Sequence, residues 1–462
     1  MSKLWRSGGV VELRPTNGTS VRWELESVRD LRDYGDTSTL AMVASRERRS
    51  VLGASAGFER ERSMTGSFSI APAFSSWFLP RAELGTQYSM LRDPNVRSLV
   101  TLPGVIGVDS VLATRDSMAL ASSFTLPRRM TAAQTSSIGS AIDLAKAFVA
   151  YTRDSSALRR IGGLFAPMDV SYTRSLITTL DAAPVDAPLL LQLGLGGPDA
   201  YRNVRGVDAT TAGQTGVFAA SSALLLPLRT SVLNRYQRTT TANWIARPDA
   251  SPSTVGGEQT KFPDATVSWA YQPAQAVGLV SNLTASVGYS RSTATVELPS
   301  YLDDAPPDVR RTHTESFPIG GSIAWSIPGG LSTGARYAFT RRIDSLPGST
   351  ARARTNEISL DAGRAFRVPS SWGLGLRSDV RTRASFHQAH NTTFVFDPSG
   401  EFQSRLRDDG EEGFNLTADT DLQENMTFTL QGSHKVTFDR NLNRRFAQTV
   451  FSVVLHVQLS GR

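Results

Sequence analysis

Hydrophobic and polar residues alternate with period two along most of the chain. The final stretch shows it best. Phe451, Val453, Leu455, Val457 and Leu459 fall on one side of an extended segment, and Ser452, His456 and Gln458 on the other, with Val454 the exception. Successive strand side chains point to opposite faces, so this segment has one apolar wall and one mostly polar wall. Phe414, Leu416, Ala418, Thr420 and Leu422 repeat the pattern against Asn415, Thr417, Asp419 and Asp421. Earlier in the chain, Val21, Trp23 and Leu25 alternate with Arg22 and Glu24, and Leu283, Ala285, Val287 and Tyr289 with Thr284, Ser286, Gly288 and Ser290. The rhythm predicts an all-β chain of roughly 16–20 antiparallel strands.

Turn chemistry punctuates these strands. Asn17-Gly18 tolerates the positive φ of a tight hairpin, and Pro328-Gly329-Gly330 and Pro369-Ser370-Ser371 mark further short turns. Longer polar stretches at 93–109, 194–213, 298–314 and 343–352 are expected as loops, and 247–263 as a linker or surface loop. One stretch departs from period two. Ile138, Ile142, Ala145 and Val149 follow three-and-four spacing, which predicts a helix over 136–153. This gives an N-terminal strand section over 1–130, a helical insertion over 131–165 acting as loop helix, plug or cap, and a C-terminal strand section over 166–462.

A two-sided sheet suits either half of a soluble sandwich or the wall of a transmembrane barrel. Several predicted strands reach the roughly 9–11 residues that a tilted strand needs to cross a bilayer, beyond the roughly 5–6 of an ordinary strand. Short turns interleave with long loops, and Trp325 and Trp372 sit at strand ends where interfacial aromatics belong. The barrel is therefore the expected architecture, complete or as a large partial wall. Arg377, Asp379, Asp419 and Asp421 are its expected lumen-facing residues. Phe451, Val453, Leu455, Val457 and Leu459 are its expected lipid-facing ones.

Composition narrows the rest. No run of about 18 apolar residues occurs, so spanning must be by a closed set of strands. The 462 residues contain no cysteine, which excludes disulfides and thiolate metal sites, and the net charge is +7. Only Lys3, Lys146, Lys261 and Lys435 are lysines, so the basic side is arginine. Met1 to Gly9 has no apolar core of a signal peptide, which implies a trimmed chain, a piece of a longer one, or a chain that is not an outer-membrane protein. His387 and His390, three apart on a strand, face opposite ways and make a poor metal pair. His313 near Asp303, Asp304 and Asp308 is ordinary loop composition, and no phosphate-binding glycine loop is present. The expectation is a non-enzyme without cofactor, metal or nucleic-acid partner.

The stretch Val436-Thr437-Phe438-Asp439-Arg440-Asn441-Leu442-Asn443-Arg444-Arg445, followed by a last amphipathic strand, resembles the end of the SprA family. Leu31-Arg32-Asp33-Tyr34-Gly35-Asp36 is similar to segments of the same family. That family forms giant outer-membrane barrels, the translocon of the type IX secretion system, linked to gliding motility. The resemblance implies a C-terminal portion of a protein-conducting barrel with the outer membrane as its location. Its implied partners are the lipid bilayer, secreted cargo proteins, and plug or periplasmic proteins. A stand-alone porin or solute channel and a soluble β-rich cell-surface protein are the other expectations. The chain ends in Leu459-Ser460-Gly461-Arg462, without the terminal aromatic common in assembled barrels.

Overall fold

The computed structural model describes residues 3–32, 39–48, 50–51, 54–92, 100–101, 124–151, 160–247, 250–272, 279–298, 308–368, 379–423 and 426–457. The fold is the expected all-β one: 17 strands belong to a single large antiparallel sheet. In chain order these begin β1 (Leu4–Thr16), β2 (Thr19–Asp30), the two-residue pair β3 (Ser50–Val51) and β4 (Ala54–Ser55), β5 (Phe58–Ile70) and β6 (Phe78–Arg92). A second small pair, β7 (Val100–Thr101) and β8 (Phe124–Thr125), precedes β9 (Arg128–Ile142) and β10 (Met168–Ala183). A third, β11 (Asn203–Val204) and β12 (Val207–Asp208), precedes β13 (Thr211–Leu226), β14 (Thr230–Arg247) and β15 (Ala250–Tyr271). The chain continues with β16 (Val280–Leu298), β17 (Asp308–Trp325), β18 (Ser332–Leu346), β19 (Ser349–Phe366), β20 (Val380–Phe396), β21 (Phe402–Gln423), β22 (Met426–Asp439) and β23 (Arg444–Val457).

Contacts divide the chain into two units. The first comprises Met1–Asp143, Asp169–Ala219 and Arg238–Glu258, and the second Leu144–Met168, Ala220–Gln237 and Gln259–Arg462.

In the first unit β1, β2, β5, β6 and β9 pair in sequence order as an antiparallel meander. Register places Leu13, Val21, Phe68 and Leu84 in one row and Leu25, Met64, Tyr88 and Ala132 in another, all on one face. The opposite face carries Glu12, Arg22 and Ser67 in one row and Glu26, Ser63, Ser89 and Thr131 in another. Part of the apolar face is covered. The connection between β10 and β13, residues 184–210, folds back as a strap and buries Ala187, Leu191, Tyr201, Val204 and Ala209 among Met64, Tyr88, Met90, Met130, Leu176 and Leu180. The strap contains the short helices Leu189–Gln192 and Pro198–Arg202, so most of the expected loop over 194–213 is a packed element. A smaller core of Val43, Ala44, Phe58 and Leu126 lies beneath the helix Thr39–Arg46.

In the second unit β16 to β23 form an uninterrupted antiparallel meander. These strands are 14 to 22 residues long, well beyond ordinary strand length. Val436 is the one buried hydrophobic residue among the described residues of this unit. Its turns are tight. β18 and β19 are joined by Pro347-Gly348 alone, so the expected loop over 343–352 is almost entirely strand. Gly329, at φ 84°, and Gly330, at φ 58°, supply the left-handed geometry of the turn after Trp325.

Three other expectations are corrected. The helix expected over 136–153 is the eight-residue helix Leu144–Tyr151, because residues up to Ile142 continue β9 and pair with β6 through Phe78↔Ile142. Thr131, Thr135, Ser136 and Ser137 favour that extended pairing, and the ladder overrides the weak helical spacing of Ile138 and Ile142. The linker expected over 247–263 is mostly β15. The loop expected over 298–314 narrows, since β16 runs to Leu298 and β17 begins at Asp308; 299–307 lie outside the described residues. The same holds for most of 93–109 and for the Pro369-Ser370-Ser371 turn with Trp372.

Candidate functional site: the two faces of the C-terminal sheet

Register across β16 to β23 sorts every side chain onto one of two faces. Leu283, Ile323, Thr333, Ala362, Ala384, Leu416, Gly432 and Phe451 form one row. The next row on that face runs Ala285, Gly321, Ala335, Leu360, Phe386 and Phe414. Val287, Ile319, Tyr337 and Ile358 follow, then Phe317 and Phe339. Beyond these the face changes character abruptly to Arg291, Glu315, Arg341 and Arg354. The result is an apolar band with aromatic residues toward its charged border; it narrows on β20 to β23, where the Ile358 row continues to Gln388 and Glu412 and the Phe414 row to His434 and Thr449. Trp325 marks the other border, its indole Nε1 donating to Thr333 Oγ1 at 3.0 Å. Tyr337 Oη donates to Asn356 Oδ1 at 3.3 Å, on the charged side.

Among the described residues this band is left largely uncovered. Phe414 is 47 % exposed and Phe451 70 %, and Val287, Ile319, Leu360, Leu416, Val453 and Leu455 are exposed as well. From Trp325 to Phe317 is eight residues along β17. At about 3.3 Å per residue that is roughly 26 Å of strand, or about 19 Å of depth at a 45° tilt.

The other face is hydrophilic and built largely from small residues. One row reads Thr284, Ser322, Gly334, Asp361, Ser385, Asn415 and Ser433, and the next Ser286, Gly320, Arg336, Ser359, His387, Gly413 and Lys435. Hydroxyls bond across strands, Thr284 to Ser322 at 2.7 Å and Ser231 to Ser268 at 2.6 Å. Glycine and serine leave a groove of about 830 Å³ lined by Arg229, Ser268, Ser286, Gly320, Arg336 and Asp361. A second groove, of about 570 Å³, runs past Arg364, Arg381, Arg383 and Asp419. Lys435 Nζ lies 2.6 Å from Glu411 on this face, and the His387 ring lies 3.5 Å from Glu411 and 3.9 Å from Glu357. Such a face is readily wetted.

The residues expected to face lumen and lipid fall as follows. Asp419 pairs in register with Arg381 on the hydrophilic face, and Asp421 accepts from Thr427 Oγ1 at 3.1 Å on the same face. Asp379 is exposed just before β20. Phe451, Val453, Leu455 and Val457 share the apolar face and are exposed. Arg377 and Leu459 lie outside the described residues. His387 and His390 sit on opposite faces, and no cluster of metal-ligating side chains occurs among the described residues. His390 Nε2 bonds Asp408 Oδ1 at 2.8 Å, and Asp408 also takes Arg405 at 2.7 Å.

The first unit holds a charged cluster that alternation did not reveal. Arg92 bridges Glu47 at 2.6 Å and Asp186 at 3.0 Å, Arg128 lies 3.1 Å from Asp186, and Arg62 pairs with Glu59 at 2.6 Å. The Arg92 and Arg128 side chains are each only 8 % exposed. The cluster encloses about 210 Å³ and ties the strap and the helix Thr39–Arg46 to β5, β6 and β9. Its one signal in the sequence is the charged run Glu59-Arg60-Glu61-Arg62 opening β5. In the strap, burial alone would raise the Asp186 carboxyl. The guanidiniums of Arg128 and Arg92 outweigh burial and hold it below the usual carboxylate range. Burial pushes the Tyr201 phenol up to about 12.

No family model matches the chain, and no curated protein matches it. Solved structures do. A mutant of the ferric enterobactin receptor PfeA of Pseudomonas aeruginosa, in complex with enterobactin, aligns over 95 % of this chain and 78 % of its own, at 8 % identity and a TM-score of 0.38. A second mutant of that receptor, also with enterobactin, aligns over 95 % and 71 %, at 10 % identity and 0.36. A double mutant aligns over 90 % and 66 %, at 9 % identity and 0.36. At these scores no ligand and no role carries across to this chain.

Proposed function

We propose that the chain forms the wall of an outer-membrane β-barrel and acts as a passive aqueous conduit. One observation carries this reading: the apolar band of β16 to β23 is largely bare while the opposite face is mostly hydrophilic, with Val296 on β16 and Phe446, Val450 and Val454 on β23 as apolar exceptions. A soluble sheet buries such a band against a second layer, and soluble proteins rarely leave contiguous apolar patches of more than a few hundred Å². Hydrocarbon is the solvent that matches it. The depth of roughly 19 Å along β17 approaches the ~25 Å band of outer-membrane barrels. The border of Phe317, Phe339 and Tyr337 followed by Arg291, Glu315 and Arg341 repeats their girdle and headgroup zones. On this reading Asp419 and Asp421 face the lumen, and Phe451, Val453, Leu455 and Val457 face lipid.

For what is conducted, the SprA-like turn at Val436 to Arg445 supports a protein-secretion translocon, with exported proteins as cargo. The groove at Ser286, Gly320 and Arg336 favours a second reading, a porin-like solute channel, because its ~830 Å³ suits a small molecule.

Planar-bilayer recording on the detergent-extracted protein tests the conduit. Stepwise conductance, together with gel migration that shifts on heating, is expected. A protein that gives neither is no conduit. Polymer exclusion then separates the two cargoes: a protein-sized pore admits large polyethylene glycols that a solute channel rejects.

A further inference from the structure

The strap over 184–210 is amphipathic in an unusual sense: both of its sides are apolar at one end. Inward, Ala187 and Leu191 pack on Met64, Tyr88, Met90 and Met130 of the sheet. Polar pins fix that orientation, with Arg62 Nη1 donating to Gln192 Oε1 at 2.7 Å and Gln134 Nε2 donating to the Gly194 carbonyl at 2.7 Å. Gly194, at φ 67°, allows the approach, since a Cβ there would run into Thr86. Outward, Leu189 and Leu190 are 64 % and 60 % exposed, and Leu195 is exposed beside them. Among the described residues these three leucines are left largely uncovered.

We infer that the leucine end of the strap lies in the bilayer, with Leu189, Leu190 and Leu195 inserted at the hydrocarbon edge. The inference rests on the membrane reading above. It adds that the strap sits outside the wall, on the lipid side, and plugs no lumen. Within the first unit the strap is seated on the face that carries Leu13, Val21, Phe68 and Leu84, not on the face of Arg22, Glu26, Ser63 and Ser89. Leu13 and Phe68 on that same face are exposed, so this unit's own sheet leaves apolar surface uncovered on the side where the strap sits. Acyl chains that wet one wet the other. Three leucine side chains fall far short of the roughly 800 Å² per partner that a stable protein interface needs, so a second copy is the poorer occupant. Further along the strap the exposed side chains are polar: Asp199 is almost fully exposed and pairs with Arg202, which stacks on Trp244 at 3.6 Å. A leucine end in the hydrocarbon edge and a charged end toward headgroups is the pattern of an interfacial element.

The absence of cysteine makes the test clean. Leu190→Cys, Leu195→Cys and Phe451→Cys are each labelled with bimane in the full chain, reconstituted in phosphatidylcholine vesicles, and quenched with brominated lipid or with iodide. The inference expects Leu190→Cys and Leu195→Cys to lose fluorescence to brominated lipid to the same degree as Phe451→Cys, and little to iodide. Quenching of both strap sites by iodide alone, with Phe451→Cys still lipid-quenched, overturns the inference and leaves the barrel standing. Protection from both quenchers overturns it too, by placing the strap under protein. If Phe451→Cys itself answers only to iodide, the membrane reading fails first.

Discussion

Arg62 on β5 and Gln192 in the strap stand 130 residues apart in sequence and share a 2.7 Å hydrogen bond. The same guanidinium holds Glu59 at 2.6 Å, and Glu59 is 12 % exposed. One arginine thus both neutralises a buried carboxylate and pins the strap to the sheet.

Replacing Arg62 with Leu is expected to destabilise the first unit by about 3 kcal/mol, the low end for breaking a buried pair, because Glu59 loses its guanidinium but keeps the Ser27 hydroxyl. Gln192→Ala should cost only about 1–3 kcal/mol. Urea titration of the detergent-solubilised protein checks the order. Trypsin cleavage after Arg202 or Arg205 should accelerate in Arg62→Leu more than in Gln192→Ala.

Strap attachment should weaken in acid. The folded Asp186 carboxyl is held below its unfolded value by Arg128 and Arg92. Its contribution is therefore fully present above the unfolded pKa of about 4 and is lost as pH falls through the lower folded value. Asp186→Asn should remove this acid-side loss and weaken the strap at neutral pH instead. Trypsin is inactive in acid, so pepsin cleavage of the strap between pH 4.5 and 2 is the readout. Wild type should become steadily more susceptible, and Asp186→Asn should show a flatter profile.

The two faces of β23 should respond oppositely to charge. Phe451→Arg is expected to cost about 2–4 kcal/mol if it lies near the bilayer midplane, and Ser452→Arg close to nothing. Folding yield into vesicles, read as heat-modifiable gel migration, compares them. Equal effects would contradict the sorting of faces.

On the hydrophilic face, Lys435 and Glu411 are about half exposed, so their ion pair is worth only about 0–1 kcal/mol. Glu411→Gln should leave the thermal midpoint nearly unchanged. It should nonetheless move the reversal potential under a salt gradient toward anion preference, because it removes one negative charge from a wetted wall.

Alternation carried most of the C-terminal unit. Leu283, Ala285 and Val287 against Thr284, Ser286 and Gly288 already separate the faces that the β16–β17 register confirms. The first half of β15 was hidden, while Val267, Trp269 and Tyr271 alternate openly, because Ser253, Thr254, Gly256 and Gly257 give neither face an apolar signature; strand pairing fixes it there, as in Thr241 Oγ1 donating to the Gly257 carbonyl at 3.4 Å. The strap was hidden for a different reason. Ala187, Leu191, Tyr201 and Val204 follow no period, since the shape they fill is set by Tyr88 and Met90 on distant strands. The cluster of Glu47, Arg92 and Asp186 likewise exists only once three separate segments meet.

The most direct measurement of the central claim is a nitroxide scan of residues 450–457 in vesicles, comparing collision with oxygen and with a water-soluble nickel chelate. The account predicts a period of two, with Phe451, Val453, Leu455 and Val457 in oxygen-rich hydrocarbon and Ser452, Val454 and His456 in contact with nickel. Nickel access at Phe451 and Val453, or a scan without that alternation, would contradict it.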